Sequence, residues 1–142
     1  MTPAVRKATP QDLSALLEIE QQSFSHPHWN REDFLRYRCL IAELENAIAG
    51  FLVSRQTYSG DQKSPPEREI LNLAVAAPYR RQGIATILLK HELQHRAAYF
   101  LEVRESNVAA QALYRKLGFV AVAARPQYYD FPTERAIVMR LK

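Results

Sequence analysis

The stretch that most constrains this chain is an apolar run, Ile70-Leu71-Asn72-Leu73-Ala74-Val75, that breaks into a polar turn ending at Gly83 and then into a helical pattern. The run predicts a strand over Glu69 to Val75. Because it is nearly continuously apolar, both of its faces are expected to be covered, as in a sheet flanked by helices. Ile84, Ile87, Leu88 and Leu89 fall on one side of a helix predicted over Ile84 to Arg96. A helix opening directly after such a turn presents unpaired N–H groups and a partial positive charge, which together favour phosphate. Gly83 lets a ligand approach the backbone, Ala85 is small for the same reason, and Arg80 and Arg81 add positive charge. The spacing matches neither the P-loop nor the dinucleotide fingerprint. On these residues alone, with a single glycine, a basic glycine-containing loop before a surface helix stays the better description.

The remaining pattern predicts one domain over residues 1–142. Val5 to Ala8 is a short strand; Thr9, Pro10 and Asp12 then suit a helix start, with Leu13, Leu16 and Leu17 on one face. Asn30 caps a second short helix running through Tyr37. Leu40 to Leu44 and Ile48 to Arg55 form strands around a turn at Glu45-Asn46-Ala47, and Tyr58 to Arg68 is a long hairpin loop. Further on, Tyr99 to Arg104 is a strand and Asn107 to Leu117 a helix closed by Gly118, with Phe119 packing back on its last turn. Val120 to Ala124 and Ala136 to Leu141 are strands. The order β-α-α-β-β-β-α-β-α-β-β makes a mixed α/β (α+β) sheet with helices on its faces.

Bulk properties exclude several classes. With 47% hydrophobic and 24% charged residues the chain is neither disordered nor fibrous. Its net charge of +4 suits a phosphate-bearing ligand, but the basic residues lack the dense clustering of a nucleic-acid binder. The single cysteine, Cys39, cannot form an internal disulfide and sits at an apolar run, so it is expected to be buried and structural. No run is long enough to span a membrane, and the N-terminus lacks a signal-peptide core, so a cytoplasmic protein is expected. His91-Glu92-Leu93-Gln94-His95 matches the letters of the H-E-x-x-H zinc motif. No third ligand follows, and an exposed polar helix face is the simpler reading, so no metal is expected.

A second segment, Leu101-Glu102-Val103-Arg104-Glu105-Ser106-Asn107, leads into a helix that carries Tyr114 about 10 Å from its start. These residue types could move an acetyl group from a thioester to an amine. A carboxylate such as Glu102 can take the ammonium proton, and a phenol such as Tyr114 can protonate a leaving thiolate. A backbone N–H on the Leu73-Ala74-Val75 strand can hold the oxyanion. From spacing alone a solvated strand residue is the better reading of Glu102, Tyr114 could be a core aromatic whose hydroxyl finds a partner, and Asn107 could be only a helix cap.

Arg80-Arg81-Gln82-Gly83-Ile84-Ala85 resembles the R/Q-x-x-G-x-G/A motif of the GNAT acetyltransferase superfamily. Leu101-Glu102-Val103-Arg104-x-Ser106-Asn107, Ala112-Leu113-Tyr114 and Leu117-Gly118-Phe119 are similar to its ribosomal-protein-alanine N-acetyltransferase (RimI-like) branch. The resemblance covers about the whole length. It implies the GNAT acyl-CoA N-acyltransferase fold, a mostly antiparallel central sheet with helices on both faces. It implies acetyl-CoA as co-substrate, its pyrophosphate on Arg80, Arg81, Gln82, Gly83, Ile84, Ala85 and Thr86, its pantetheine arm against Leu73, Ala74 and Val75, and a further contact from Asn107. Glu102 falls on the family's general base and Tyr114 on its general acid.

The resemblance also implies a substrate loop over Phe24 to Phe34, containing Trp29, and a C-terminal hairpin containing Tyr128 and Tyr129. The implied acceptor is the N-terminal α-amine of a protein, a ribosomal protein foremost, with a lysine, polyamine or other small amine as the alternative. A zinc hydrolase and a silent acetyl-CoA-binding module are the remaining alternatives. A monomer or weak homodimer, with no nucleic-acid or membrane partner, is implied. The sequence departs from the branch at His28, which separates Pro27 from Trp29, at a shortened 130–135 segment, and at Arg135, where an acidic residue is usual.

Overall fold

A computed structural model describes residues 2–24, 29–57, 66–129 and 133–141. Within them the chain forms β1 (Ala4–Lys7), α1 (Leu13–Ser23), α2 (Arg31–Arg36), β2 (Arg38–Leu44), β3 (Ala47–Thr57) and β4 (Glu67–Val75). There follow α3 (Ile84–Glu92), β5 (Ala98–Arg104), α4 (Val108–Lys116), β6 (Val120–Tyr129) and β7 (Glu134–Leu141). This is the order of elements expected from the sequence. No helix among the described residues is long and apolar enough to cross a membrane.

The chain divides into two compact units: Met1–Arg55 with Leu71–His95, and Gln56–Ile70 with Arg96–Lys142. In the first, β1 and β2 pair antiparallel, as do β2 and β3. Glu45 and Asn46 join β2 to β3, with φ of 53° and 68°. Two consecutive left-handed residues give the turn whose twist matches that of the flanking strands. The core gathers Leu13, Leu16 and Ile19 of α1, Phe34 of α2, and Cys39, Ile41, Phe51, Val53 and Ala74 from the strands. Cys39 is buried, and burial raises its thiol to about 12, so it packs as a small apolar side chain. Gly50 has no room for a side chain: a Cβ there would lie 2.8 Å from the carbonyl oxygen of Ala74 and 3.3 Å from Ile84. Its absence lets β3 press against the strand that feeds the glycine turn.

In the second unit the start of β4 pairs parallel with β5, from Glu67↔Ala98 to Ile70↔Leu101. β5 pairs antiparallel with β7, and β7 with β6. β6 is exposed along nearly its whole length. Its register with β7 slips between Arg125 and Tyr129, where Gln127 takes φ of 53°.

Three expectations are corrected. In β4 only Arg68, Ile70 and Ala74 are buried, and the other positions are half-buried. A continuous apolar run therefore does not mean two covered faces here, since Leu71, Leu73 and Val75 remain partly open. The helix predicted to Arg96 ends at Glu92. Gln94, His95 and Arg96 are exposed and offer no apolar side chain to bind another turn to the core, so the chain leaves the helix through tighter turn bonds. The predicted 58–68 loop lies mostly outside the described residues, and β4 begins at Glu67 rather than Glu69.

Candidate acetyl-transfer site

The glycine turn belongs to the first unit. Pro78 sits in a short 3-10 turn over Ala77–Tyr79, after which the chain crosses Arg81 (φ 64°) and Gly83 (φ 78°) to enter α3. The first hydrogen bond of α3 runs from the Ile87 N–H to the Gly83 carbonyl at 3.0 Å. The N–H groups of Ile84, Ala85 and Thr86 precede it and have no partner within the helix. Gly83 supplies no capping side chain, and a Cβ placed on it would meet nothing within 4 Å. Open space therefore lies beside a positive helix end. A cavity of about 210 Å³ occupies it, walled by Val75, Tyr79, residues 80–81 and residues 83–86.

Arg80 departs from the simple expectation of a free cation. Its Nε donates to the Val75 carbonyl at 3.0 Å, which ties the end of β4 to the turn and leaves the rest of the guanidinium exposed. Arg81 and Gln82 are exposed, and the Gln82 amide donates to the Pro78 carbonyl at 3.3 Å. The residues fit a diphosphate: free amide donors, a glycine without a side chain in the way, and two arginines. Tyr79 is a wall residue that sequence reading missed, although its place beside Pro78 in the turn was a usable signal.

The second group belongs to the second unit. Glu102 on β5 has a side chain 13% exposed, and its Oε1 accepts from Arg125 Nη1 at 2.9 Å. Its Oε2 is buried and has no hydrogen-bond partner among the described residues. The solvated-strand reading of Glu102 is therefore not what the fold provides. Tyr114 is 8% exposed on the inner face of α4, and burial raises its phenol to about 12. It also packs as an aromatic, its ring centroid 5.8 Å from that of Phe119.

The β6–β7 hairpin brings Tyr128 and Tyr129 beside Glu102. Burial first, and then the Glu102 charge, push both phenols upward, with Arg125 opposing the shift at Tyr128. Tyr114 adds to the shift at Tyr129. Glu102, Tyr128 and Tyr129 thus lie together, with Tyr114 acting weakly on Tyr129.

Two arginines brace the cluster. Arg125 lies 4.4 Å over the Tyr128 ring, and Arg104 lies 4.5 Å over the Tyr129 ring. Arg104 in turn donates to Glu134 Oε1 at 3.0 Å, and Glu134 accepts from both the N–H and the hydroxyl of Ser106. These bonds, the one from Arg104 foremost, lower the Glu134 carboxyl below its usual range. Arg125 was read only as part of the hairpin, since nothing in its neighbours names a partner 23 residues away.

Asn107 caps α4, its Oδ1 accepting from the Ala110 N–H at 3.1 Å. Phe24 is exposed. Trp29 is half-buried and packs on Phe34 and Tyr37 at centroid distances of 5.1 and 6.0 Å. Residues 25–28 of the expected substrate loop, including Pro27 and His28, and residues 130–132 lie outside the described residues. The H-E-x-x-H letters are split by the end of α3: His91 is in its last turn and His95 lies beyond it. Glu92, which a zinc protease would need as a free base, is fully buried and paired with Arg38 at 3.4 Å.

The Acetyltransferase (GNAT) family model matches residues 11–119. The chain is 36% identical over 144 residues to the ribosomal protein bS18-alanine N-acetyltransferase of Escherichia coli strain K12, covering 92% of this chain and 90% of that one. It is 33% identical to the enzyme of the same name from Haemophilus ducreyi, covering 92% of this chain and 94% of that one. The crystal structure of the ribosomal-protein-S18-alanine N-acetyltransferase from Escherichia coli superposes with a TM-score of 0.83 at 32% identity, over 98% of this chain and 92% of that one. A chain with this turn, this fold and these relatives belongs to the GNAT family and is an acetyl-CoA-dependent N-acetyltransferase.

Proposed function

We propose that this enzyme acetylates the N-terminal α-amine of a protein, a ribosomal protein foremost, with Glu102 as general base and Tyr114 as general acid. The observation that carries the reading is the Glu102 carboxylate, with one oxygen held by Arg125 and the other buried and unpartnered. A buried acceptor atom without a donor calls for an explanation, and a proton arriving with the substrate supplies one.

The acceptor ammonium gives its proton to Oε2 of Glu102, directly or through one water. The freed nitrogen lone pair adds to the acetyl carbon to give a tetrahedral oxyanion; as this collapses the C–S bond breaks, the departing sulfur takes the Tyr114 hydroxyl proton, and the second proton of the acceptor nitrogen passes through water to the Tyr114 oxygen, leaving a neutral amide and a restored phenol. With its phenol raised to about 12, Tyr114 stays protonated at working pH and is available as an acid. A backbone N–H of residues 73–75 serves the oxyanion, and residues 80–86 hold the diphosphate with Asn107 as a further contact. Phe24, Trp29, Tyr128 and Tyr129 are the proposed contacts of the acceptor peptide.

The α-amine is favoured over lysine by its basicity. At pH 7 about a tenth of α-amines (pKa ~8) are neutral, against fewer than about one in a thousand lysine amines (pKa ~10.4). A carboxylate base suits the first far better than the second. The relatives named for acetylating an alanine of ribosomal protein bS18 support the same acceptor, and a ribosomal acceptor would be met in the cytoplasm.

The test is acetyl transfer to a peptide with a free N-terminal alanine and to the same peptide N-terminally blocked but carrying lysine. Turnover is expected on the first alone. Glu102→Gln and Tyr114→Phe are each expected to lower kcat by about 100-fold or more with acetyl-CoA affinity retained. Near-normal rates in both variants would remove these roles, and equal turnover of the blocked peptide would remove the acceptor.

A further inference from the structure

We infer that Arg125 is a positioning residue for the reaction, holding Oε1 of Glu102 so that Oε2 is presented to the acceptor ammonium. The inference rests on Glu102 being the base.

Three observations lead to it. First, Arg125 grips one oxygen only: Nη1 donates to Oε1 at 2.9 Å, while Oε2 is buried without a hydrogen-bond partner among the described residues and the Tyr128 hydroxyl lies close to the same carboxylate. Arginine usually grips a carboxylate with two parallel bonds, which here would occupy both oxygens. A one-point grip leaves one oxygen open yet fixes its direction, because the soft terminal torsion of glutamate is set once either oxygen is tied.

Second, the guanidinium is itself fixed. It lies 4.4 Å over the Tyr128 ring, and Tyr128 packs edge-on against Tyr129 at 5.0 Å. The slipped register between Arg125 and Tyr129, with Gln127 at positive φ, aims this part of β6. Such irregularities commonly re-aim side chains near active sites.

Third, stability does not explain the pair. The Arg125 side chain is 55% exposed on an exposed strand against 13% for Glu102, and an ion pair whose cation stays in solvent contributes little. Ordering a long side chain there has a use only if something else depends on the carboxylate's orientation.

The experiment is steady-state kinetics on the full chain with acetyl-CoA and the alanine peptide for wild type, Arg125→Met, Arg125→Lys, Arg125→Ala, Glu102→Gln and the Glu102→Gln/Arg125→Met double variant. Arg125→Met is expected to lower kcat by about 10- to 100-fold, with acceptor KM and acetyl-CoA affinity changed less than about threefold. Arg125→Lys recovers part of the loss, and added methylguanidinium restores rate to Arg125→Ala, which a purely structural role would not allow. In the Glu102→Gln background Arg125→Met has no further effect.

A normal kcat in Arg125→Met overturns the proposal, as does a change confined to acceptor KM, which would make Arg125 a peptide contact. Effects that simply add in the double variant overturn it as well. Near-normal activity of Glu102→Gln instead removes the base assignment on which the inference rests, so the two failures are distinguishable. Should Arg125→Met not fold, Arg125→Gln, polar and of similar reach, decides by the same kcat criterion.

Discussion

Asp12 shows how much a single carboxylate can do. Its Oδ2 accepts from the Thr9 N–H at 2.7 Å, closing the turn before α1, and from Arg6 Nη1 at 2.9 Å, while Arg6 Nη2 bonds Oδ1 at 3.0 Å. The Arg6 bonds, against the opposing effect of burial, lower the Asp12 carboxyl to about 2. A folded-state value below the ordinary 3.8 means that this stabilisation is fully present above about pH 4 and is lost as pH falls toward 2. Asp12→Asn is therefore expected to reduce stability at pH 7 by about 1 kcal/mol, the modest size reflecting the part-exposed Arg6. Urea unfolding at several pH values checks this: the difference between wild type and variant should shrink between pH 4 and pH 2. A constant difference would show that Asp12 acts by shape and not by charge.

At the scale of elements, α4 is held at both ends by devices of different kinds. Asn107 caps its start, and at its end the Gly118 N–H bonds the Arg115 carbonyl while the Phe119 N–H bonds the Tyr114 carbonyl, both at 3.0 Å. This is a Schellman closure, with Phe119 on Tyr114 as its apolar contact. The same closure fixes the end of the helix that carries the proposed acid. Gly118 has φ of 104°, and a Cβ there would come within 3.0 Å of Leu141. Gly118→Ala should cost about 1–3 kcal/mol in urea unfolding, and a cost near zero would mean that the turn relaxes freely. These ends were readable in the sequence because caps are local: Asn30, Asn107 and Gly118 each act within a few residues of themselves. The end of α3 was not, since it depends on where apolar support stops rather than on a stop residue.

Across the whole molecule, the phosphate turn and the proposed acid–base pair were singled out through family resemblance, because spacing alone favoured a basic loop and a solvated strand residue. The bracing arginines were not, because Arg104 meets Glu134 and Arg125 meets Glu102 only once β5, β6 and β7 are laid side by side. Binding of acetyl-CoA to the folded chain should stabilise it as a unit. At about one hundred times Kd the gain is about 2.7 kcal/mol, a Tm rise of roughly 5–10 °C for a chain of this size. Differential scanning calorimetry with and without acetyl-CoA reads this directly, and no rise at saturating acetyl-CoA would contradict the assignment of the co-substrate. Calorimetry also needs a partner method that counts opened molecules, and Cys39 supplies one. With one sulfhydryl per chain, sealed in the interior, each dye adduct formed by a maleimide or disulfide reagent registers one opening event. The wild-type polypeptide thus carries its own stoichiometric clock for breathing, without an engineered label.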